Sequence, residues 1–314
     1  MPEDTRSHSR RAQWRQARMQ LEQKLAQQGV RASVEGERRR ANHVSLPTRL
    51  AFAALFATRR GSANAHDLHV AVREMAFEDL PQAFDGYTIL FMSDLHVAQT
   101  PKAVAAAADL VRSMAPDLAV LGGDYQTFGR PTPAQVGTAL APLLGALAPP
   151  DGVLALLGNH DSHEVADELE GLGARVLVNE WASVTRGGAV LRLLGLDDVH
   201  SFFTPAATRA LHEHRDGFRI ALVHTPELAT NAAEAGFRLY LAGHTHGGQI
   251  CLPGGRPIVT FLDSHRALAT GAWRWMGMQG YTTTGVGSGS PPLRFNCRPE
   301  IALIRLRRAA ATSR

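Results

Sequence analysis

Two histidines one residue apart, His244 and His246 in the stretch LAGHTHGGQI, carry the strongest chemical signal in the chain. They follow the apolar run RLYLA, so both sit where a short buried strand ends. With a single residue between them, two imidazoles meet at one point only if the backbone turns, and the flanking glycines permit that turn. A metal ion is the natural occupant of such a point. Further clusters stand upstream: Asp94 and His96 in SDLH, Asp124 in GGD, Asn159, His160 and Asp161 in GNHD, and His224 in LVHTP. Each follows an apolar run of strand length: TILFM, LAVL, VLALL and IALV. Oxygen and imidazole donors delivered at the ends of successive strands suit a hard or borderline divalent cation. That carboxyl edge is where open α/β sheets place their sites.

Strands and helices that would position these groups alternate along the chain. LHVAVREMAF reads as a strand of mixed pattern and TILFM as a buried one. PKAVAAAADLVRSMA is a helix started by Pro101 and stopped before Pro116. The rhythm continues with strand LAVLGGD, a helix from about Pro133 to Leu147, strand GVLALLGNHD and helix HEVADELEGLG. Past Gly173 it changes: ARVLVNEWASVTRGGAVLRLLGLDD turns at Gly187-Gly188 with no helix inside, which is a hairpin pattern. The strand-helix rhythm returns with PAATRALHEH, FRIALVHTP, PELATNAAEAG and FRLYLAGHTH. After a Gly- and Pro-rich stretch, GYTTTGVG and EIALIRLRR close the domain as strands. Two mixed β-sheets packed face to face and flanked by helices, a four-layer αββα sandwich of the α/β class, accommodate both rhythms.

Taken together, the blocks DxH, GD, GNHD, a lone His and GHxH, in order from Asp94 to His246, resemble the calcineurin-like metallophosphoesterase superfamily. GHTHGGQICLPG and GVGSGSPPLRFNCRPEIALIRL resemble its bacterial phosphodiesterase branch, so the likeness covers roughly residues 68 to 307. It implies the same αββα fold and two divalent ions, manganese, iron or zinc, about 3.5 to 4 Å apart. By resemblance Asp124 bridges the ions, Asp94, His96 and His246 complete the first, and Asn159, His224 and His244 complete the second. A hydroxide bridging the ions would attack phosphorus. His160 would contact the phosphoryl group and protonate the leaving oxygen, with Asp161 fixing its tautomer. Arg294 in PPLRF, Gln249 and His163 are further candidates for substrate contact. The implied activity is hydrolysis of a phosphodiester or pyrophosphate, with a lipid-linked substrate such as UDP-diacylglucosamine or a phospholipid favoured by the branch. The alternative is a non-catalytic scaffold of this fold that binds protein or membrane; retention of every expected ligand and of His160 argues against it.

Composition narrows the rest. At 314 residues, 45% hydrophobic and 20% charged, the chain suits one catalytic domain plus an appendage. Residues 1–45 form a basic arm, disordered or helical and solvated, and 46–67 a short apolar and basic segment around RLAFAALFA (residues 49–57), of interfacial character. The catalytic domain spans 68–308, followed by a tail at 309–314. The apolar run is far short of the roughly 20 residues that cross a bilayer and does not have the layout of a secretory signal. Contact with an anionic membrane surface through residues 1–60 is therefore peripheral, and removing them is expected to spare turnover of a small soluble diester. Two cysteines, Cys251 and Cys297, make no disulfide framework and point to free thiols in a reducing compartment. The expected location is cytoplasmic, peripheral to the inner membrane. The formal charge of +4 leans on the arm, and neither a nucleic-acid motif nor a P-loop accompanies it, so no specific nucleic-acid or nucleotide-loop binding is expected.

Overall fold

A computed structural model describes residues 2–27 and 59–310. RLAFAALFA lies outside the described residues. The chain begins with helix α1 (Pro2–Gln27) and resumes at the short helix α2 (Arg59–Asn64). Strand β1 (His69–Phe77) follows, then β2 (Thr88–Met92), α3 (Pro101–Val111), β3 (Leu118–Leu121), α4 (Pro133–Gly145), β4 (Val153–Ala155), α5 (Val165–Gly171) and β5 (Arg175–Val176). The hairpin β6 (Glu180–Arg186) and β7 (Ala189–Gly195) leads to α6 (Pro205–His212), β8 (Phe218–Leu222), α7 (Ala229–Glu234) and β9 (Leu239–Ala242). A small ribbon, β10 (Cys251–Leu252) and β11 (Arg256–Pro257), precedes a second hairpin, β12 (Gly271–Trp275) and β13 (Met278–Thr282), and finally β14 (Glu300–Arg308).

Two six-stranded mixed sheets result, ordered β1-β14-β2-β3-β4-β5 and β12-β13-β9-β8-β7-β6. Alternation along each strand sorts the core into layers, because successive side chains leave opposite faces. Ile89 and Phe91 of β2 face the second sheet and meet Leu191, Ile220 and Leu239. Leu90 and Met92 face the other way, onto Val104, Leu140 and Leu169 of α3, α4 and α5. On the far side, Ala221 and Tyr240 of the second sheet pack against Leu211 and Ala232 of α6 and α7. Both faces of each central strand are thus buried, which is why these strands read as unbroken apolar runs. The architecture is the expected αββα sandwich.

Three parts differ from the expectation. GAWRW, inside the stretch read as Gly- and Pro-rich, is strand β12, with Trp273 buried and Arg274 exposed. The amino-terminal arm is not wholly solvated: Trp14 joins the core cluster under α3–α5, and the Arg18 side chain is 1% exposed. The opening turn of the domain also starts earlier than residue 68, since the Gly61 carbonyl of α2 accepts from Arg294 N and a Cβ at Gly61 would lie 2.6 Å from the Phe295 ring. Cys251 and Cys297 are buried and free.

Candidate metal centre and catalytic loop

The carboxyl ends of β2, β3 and β4 in one sheet and of β8 and β9 in the other converge on one point. The loops that leave them turn within one or two residues, and the backbone shows it. Asp94, His96, Asp124, His244 and His246 all have φ between 39° and 69°, the left-handed region that non-glycine residues seldom occupy. Such conformations cost of order 1–3 kcal/mol each and persist only where the surroundings impose them. Glycines supply the room: a Cβ at Gly158 would lie 2.0 Å from Asp124 Oδ1, and one at Gly243 would lie 2.5 Å from Asp94 Oδ2.

Three sets of donor atoms come together among the described residues: Asp94, His96 and His246; His96, Asp124 and His160; and Asp124, His224 and His244. Asn159 joins the last, its Oδ1 lying 2.9 Å from His244 Nδ1. All seven expected ligands are therefore gathered at one place. His96 donates Nδ1–H to Gln126 O at 2.8 Å, leaving a lone pair on Nε2, which faces His246 Nε2 at 3.2 Å. His224 donates Nδ1–H to Gly122 O at 2.8 Å and so aims Nε2 at Asp124 Oδ2, 3.1 Å away. A neutral imidazole there would set a lone pair against a carboxylate.

Titration reflects that arrangement. Burial alone would lower the His224 imidazole, but the carboxylate of Asp124 outweighs it and pushes it up to about 10. Burial holds His96 down to about 4, and His244 and His246 well below the usual imidazole range, so these three present neutral nitrogens. Burial, reinforced by Asp124, raises Asp94 to about 6 against the pull of His224. Burial would also raise Asp124, yet His224 and His160 beside it hold it well below the usual carboxylate range. The place demands positive charge at Asp124 and offers neutral lone pairs around it, and divalent cations fit both requirements.

His160 sits at the rim. Its Nδ1 accepts the Phe128 N–H at 3.1 Å, which places the ring proton on Nε2, 3.9 Å from Asp124 Oδ2. Phe128 closes over the ring edge-on at 4.5 Å. Asp161 is not the group that orients this imidazole. Its carboxylate accepts four backbone N–H groups, from Asp124, Tyr125, Gly158 and Gln126, at 2.8 to 3.0 Å. It ties the GGD loop to the GNHD turn, while the Phe128 N–H contacts the His160 ring directly.

The weaker candidates go elsewhere. Arg294 is 0% exposed, and its guanidinium donates to the carbonyls of His246, Thr284 and Gly287 and to Ser288 Oγ. With its fork spent on the loop it does not face a substrate phosphate. Gln249 donates to Pro291 O at 2.7 Å, within the same loop. His163 Nδ1 pairs with Glu22 of α1 at 2.7 Å.

Two groups were not anticipated. His200 lies against His244 with centroids 4.6 Å apart and the rings tilted by 30°, and its Nε2 lies 3.0 Å from Glu227 Oε2. Its place in LDDVH, past the carboxyl end of β7, was a usable signal, because that edge carries the candidate ligands. The other group is Trp14, Arg18 and Glu22 on α1, for which the sequence offers no local sign.

Comparison with known proteins agrees with the geometry. The model of the calcineurin-like phosphoesterase family matches residues 87–248. The uncharacterized metallophosphoesterase YkuE of Bacillus subtilis (strain 168) is 31% identical over 237 residues, which is 73% of this chain and 82% of that protein. Phosphodiesterase YaeI of Escherichia coli (strain K12) is 31% identical over 232 residues, 70% of this chain and 82% of its own length. A 5'-nucleotidase precursor from Thermus thermophilus is 16% identical, covering 70% of this chain and 54% of that one, with a TM-score of 0.43.

Proposed function

The chain belongs to the calcineurin-like phosphoesterase family and is a phosphoester hydrolase, and from that premise we propose a binuclear enzyme that cleaves a phosphodiester or pyrophosphate. The observation that carries this reading is the sharing of Asp124: it belongs to two of the three donor sets, between His96 and His160 on one side and His224 and His244 on the other. Asp94, His96 and His246 would hold one ion, Asn159, His224 and His244 the other, and the Asp124 carboxylate both. When bound, manganese, iron or zinc ions supply Lewis acidity and a hydroxide nucleophile at neutral pH.

The chain's own groups supply the rest. His160 Nε2–H is aimed toward the centre and would donate to the phosphoryl or leaving oxygen. Asp161 positions this histidine indirectly, by holding the turn that carries it. Beside the second donor set, the Phe261 carbonyl lies 3.4 Å from His244 Nε2. Phe261 also lines a cavity of about 440 Å³, together with Ile258, Val259 and Leu262 and with Arg256 and Arg266. A pocket of mixed lining, with apolar side chains beside two arginines and next to a phosphoesterase centre, suits an amphiphile, a phosphate joined to an apolar chain. This supports a phospholipid or a lipid-linked nucleotide such as UDP-diacylglucosamine.

Peripheral attachment to an anionic membrane face, on the cytoplasmic side, completes the proposal. Its support is RLAFAALFA between arginines; among the described residues no helix is long and apolar enough to cross a membrane.

The test is a metal-depleted preparation titrated with Mn²⁺ and assayed on bis-p-nitrophenyl phosphate and on long- and short-chain phospholipid diesters. Two ions per chain, turnover that is absent in chelator and a preference for the long chain are expected. A single ion at saturation would end the binuclear reading, and equal turnover of both chain lengths would end the lipid one.

A further inference from the structure

Helix α1 reaches the catalytic turn through one buried arginine. Arg18 Nη2 donates to the carbonyls of Asp161 at 2.6 Å and Gly158 at 3.3 Å, while Nη1 pairs with Asp197 Oδ1. Its guanidinium carbon lies 3.6 Å from the centroid of the Phe202 ring. Asp197 is itself fixed by Trp14 Nε1–H at 2.7 Å and by the Asp198 N–H at 2.9 Å. One turn further along α1, Glu22 accepts the His163 backbone N–H at 2.7 Å and contacts its ring. A fully buried guanidinium is expensive to desolvate, and this one is matched on every side by a carboxylate, carbonyls and a ring face.

The two carbonyls matter because of what stands between them. Gly158 and Asp161 flank Asn159 and His160, so Arg18 holds both ends of the two-residue segment that presents a candidate ligand and the candidate acid. The same turn is held from inside by the Asp161 carboxylate through backbone N–H groups. Donors from one side and an acceptor from the other leave the segment little freedom. The inner clamp lies within the matched family region, residues 87–248, and the outer one lies outside it.

We propose that Arg18 is a positioning residue of the reaction: through the Gly158 and Asp161 carbonyls it sets where Asn159 Oδ1 and His160 Nε2 point, which makes α1 a working part of the catalytic centre. The inference rests on the reading of Asn159 as a ligand and His160 as the acid. It reverses the expectation that residues 1–60 can be removed without loss of turnover.

Two full-length variants test it. Arg18→Lys keeps the charge opposite Asp197 but replaces a planar fork with a point donor that cannot serve both carbonyls and the carboxylate at once. Arg18→Met removes the charge as well. Metal-depleted protein is titrated with Mn²⁺ alone by equilibrium dialysis, and kcat, KM and melting temperature are measured beside it. For Arg18→Lys the expected result is a melting temperature near wild type, one of the two Mn²⁺ sites weakened about 10- to 100-fold, kcat reduced in the same range and KM nearly unchanged. Arg18→Met shifts the same quantities further and also lowers the melting temperature. A merely structural role would lower melting temperature without moving the Mn²⁺ isotherm. Wild-type Mn²⁺ binding and kcat in Arg18→Lys overturn the proposal, and that variant decides alone where Arg18→Met does not fold. Asp124→Asn serves as the separate control on the site itself: an inert wild type, or an active Asp124→Asn, removes the reading on which the inference rests.

Discussion

Two buried arginines brace loops that carry the candidate metal donors, and they are held differently. Arg294 stands on the side of His246, surrounded by carbonyls and two polar side chains, and burial lowers its pKa from the ordinary guanidinium value. Arg18 stands on the side of Asn159 and His160 and has a carboxylate, Asp197, as its direct partner. Arg294 comes from the loop it stabilises, so its partners lie mostly within ten residues of it; Arg18 comes from a helix 140 residues away from the turn it holds. One arginine therefore maintains a loop's own shape, and the other couples two parts of the chain. A planar cation with five donors serves either purpose, because peptide carbonyls accept from it as readily as phosphates do.

The largest effect should come from the group both sides share. Asp124→Asn replaces a carboxylate that faces His224, His96 and His160 with a neutral amide, and turnover should fall to background with loss of bound metal. Two retained ions and near-normal turnover would show that neither side depends on Asp124.

Next is the Arg18 side alone. His160→Asn should leave metal content intact and slow an alkyl ester by about 10²- to 10⁴-fold, the usual contribution of a general acid. A nitrophenyl ester, whose leaving group departs without a proton, should lose much less. Equal losses on a matched pair would reduce His160 to a phosphate contact, and loss of an ion would make it a ligand.

On the Arg294 side the effect should be one of stability. Arg294→Met takes the donor from the carbonyls of Thr284 and Gly287, each at a cost of about 1–3 kcal/mol, while the His246 carbonyl keeps the Gln249 N–H. Urea melts should show a loss of at least about 2 kcal/mol, with the remaining folded protein still active. Unchanged melting would mean that the loop holds its shape unaided.

The smallest effect is predicted next to Arg18 on the same helix. Arg15 pairs with Asp167 at the surface, where both side chains are more than a third exposed. Arg15→Ala should cost no more than about 1 kcal/mol and leave the Mn²⁺ isotherm unchanged. A shift of that isotherm would mean that docking of α1 as a whole, rather than Arg18, governs the turn.

What the sequence disclosed and what it hid divide along the same physical line. Strand TILFM, the ligand blocks and the hairpin at Gly187-Gly188 are local patterns, readable because period and turn chemistry act over a few residues. The gathering of donor side chains was legible too, since donor types recur at strand ends. Roles played through backbone were not. Asp161 spends its carboxylate on peptide N–H groups and Arg294 its fork on peptide carbonyls, and neither kind of partner leaves a residue type to read. Arg18 was hidden by distance, on a helix whose composition is that of a solvated one. Strand β12 escaped because its alternation spans only five residues between turns.

The position of the last strand bears on how the chain is made. β14 is inserted between β1 and β2, pairing in parallel with all nine residues of β1 and antiparallel with β2. Strands adjacent in the order of synthesis are thus separated by one made more than two hundred residues later. At about 5 to 20 residues per second, more than two hundred residues must emerge between β1 and β14, a delay on the order of ten seconds or more. Until then β1 has no neighbour among the described strands of its sheet and the inner edge of β2 is unpaired, so a nascent chain is exposed to edge-to-edge association throughout that interval. Chaperone demand during synthesis should accordingly fall only when Glu300–Arg308 is released.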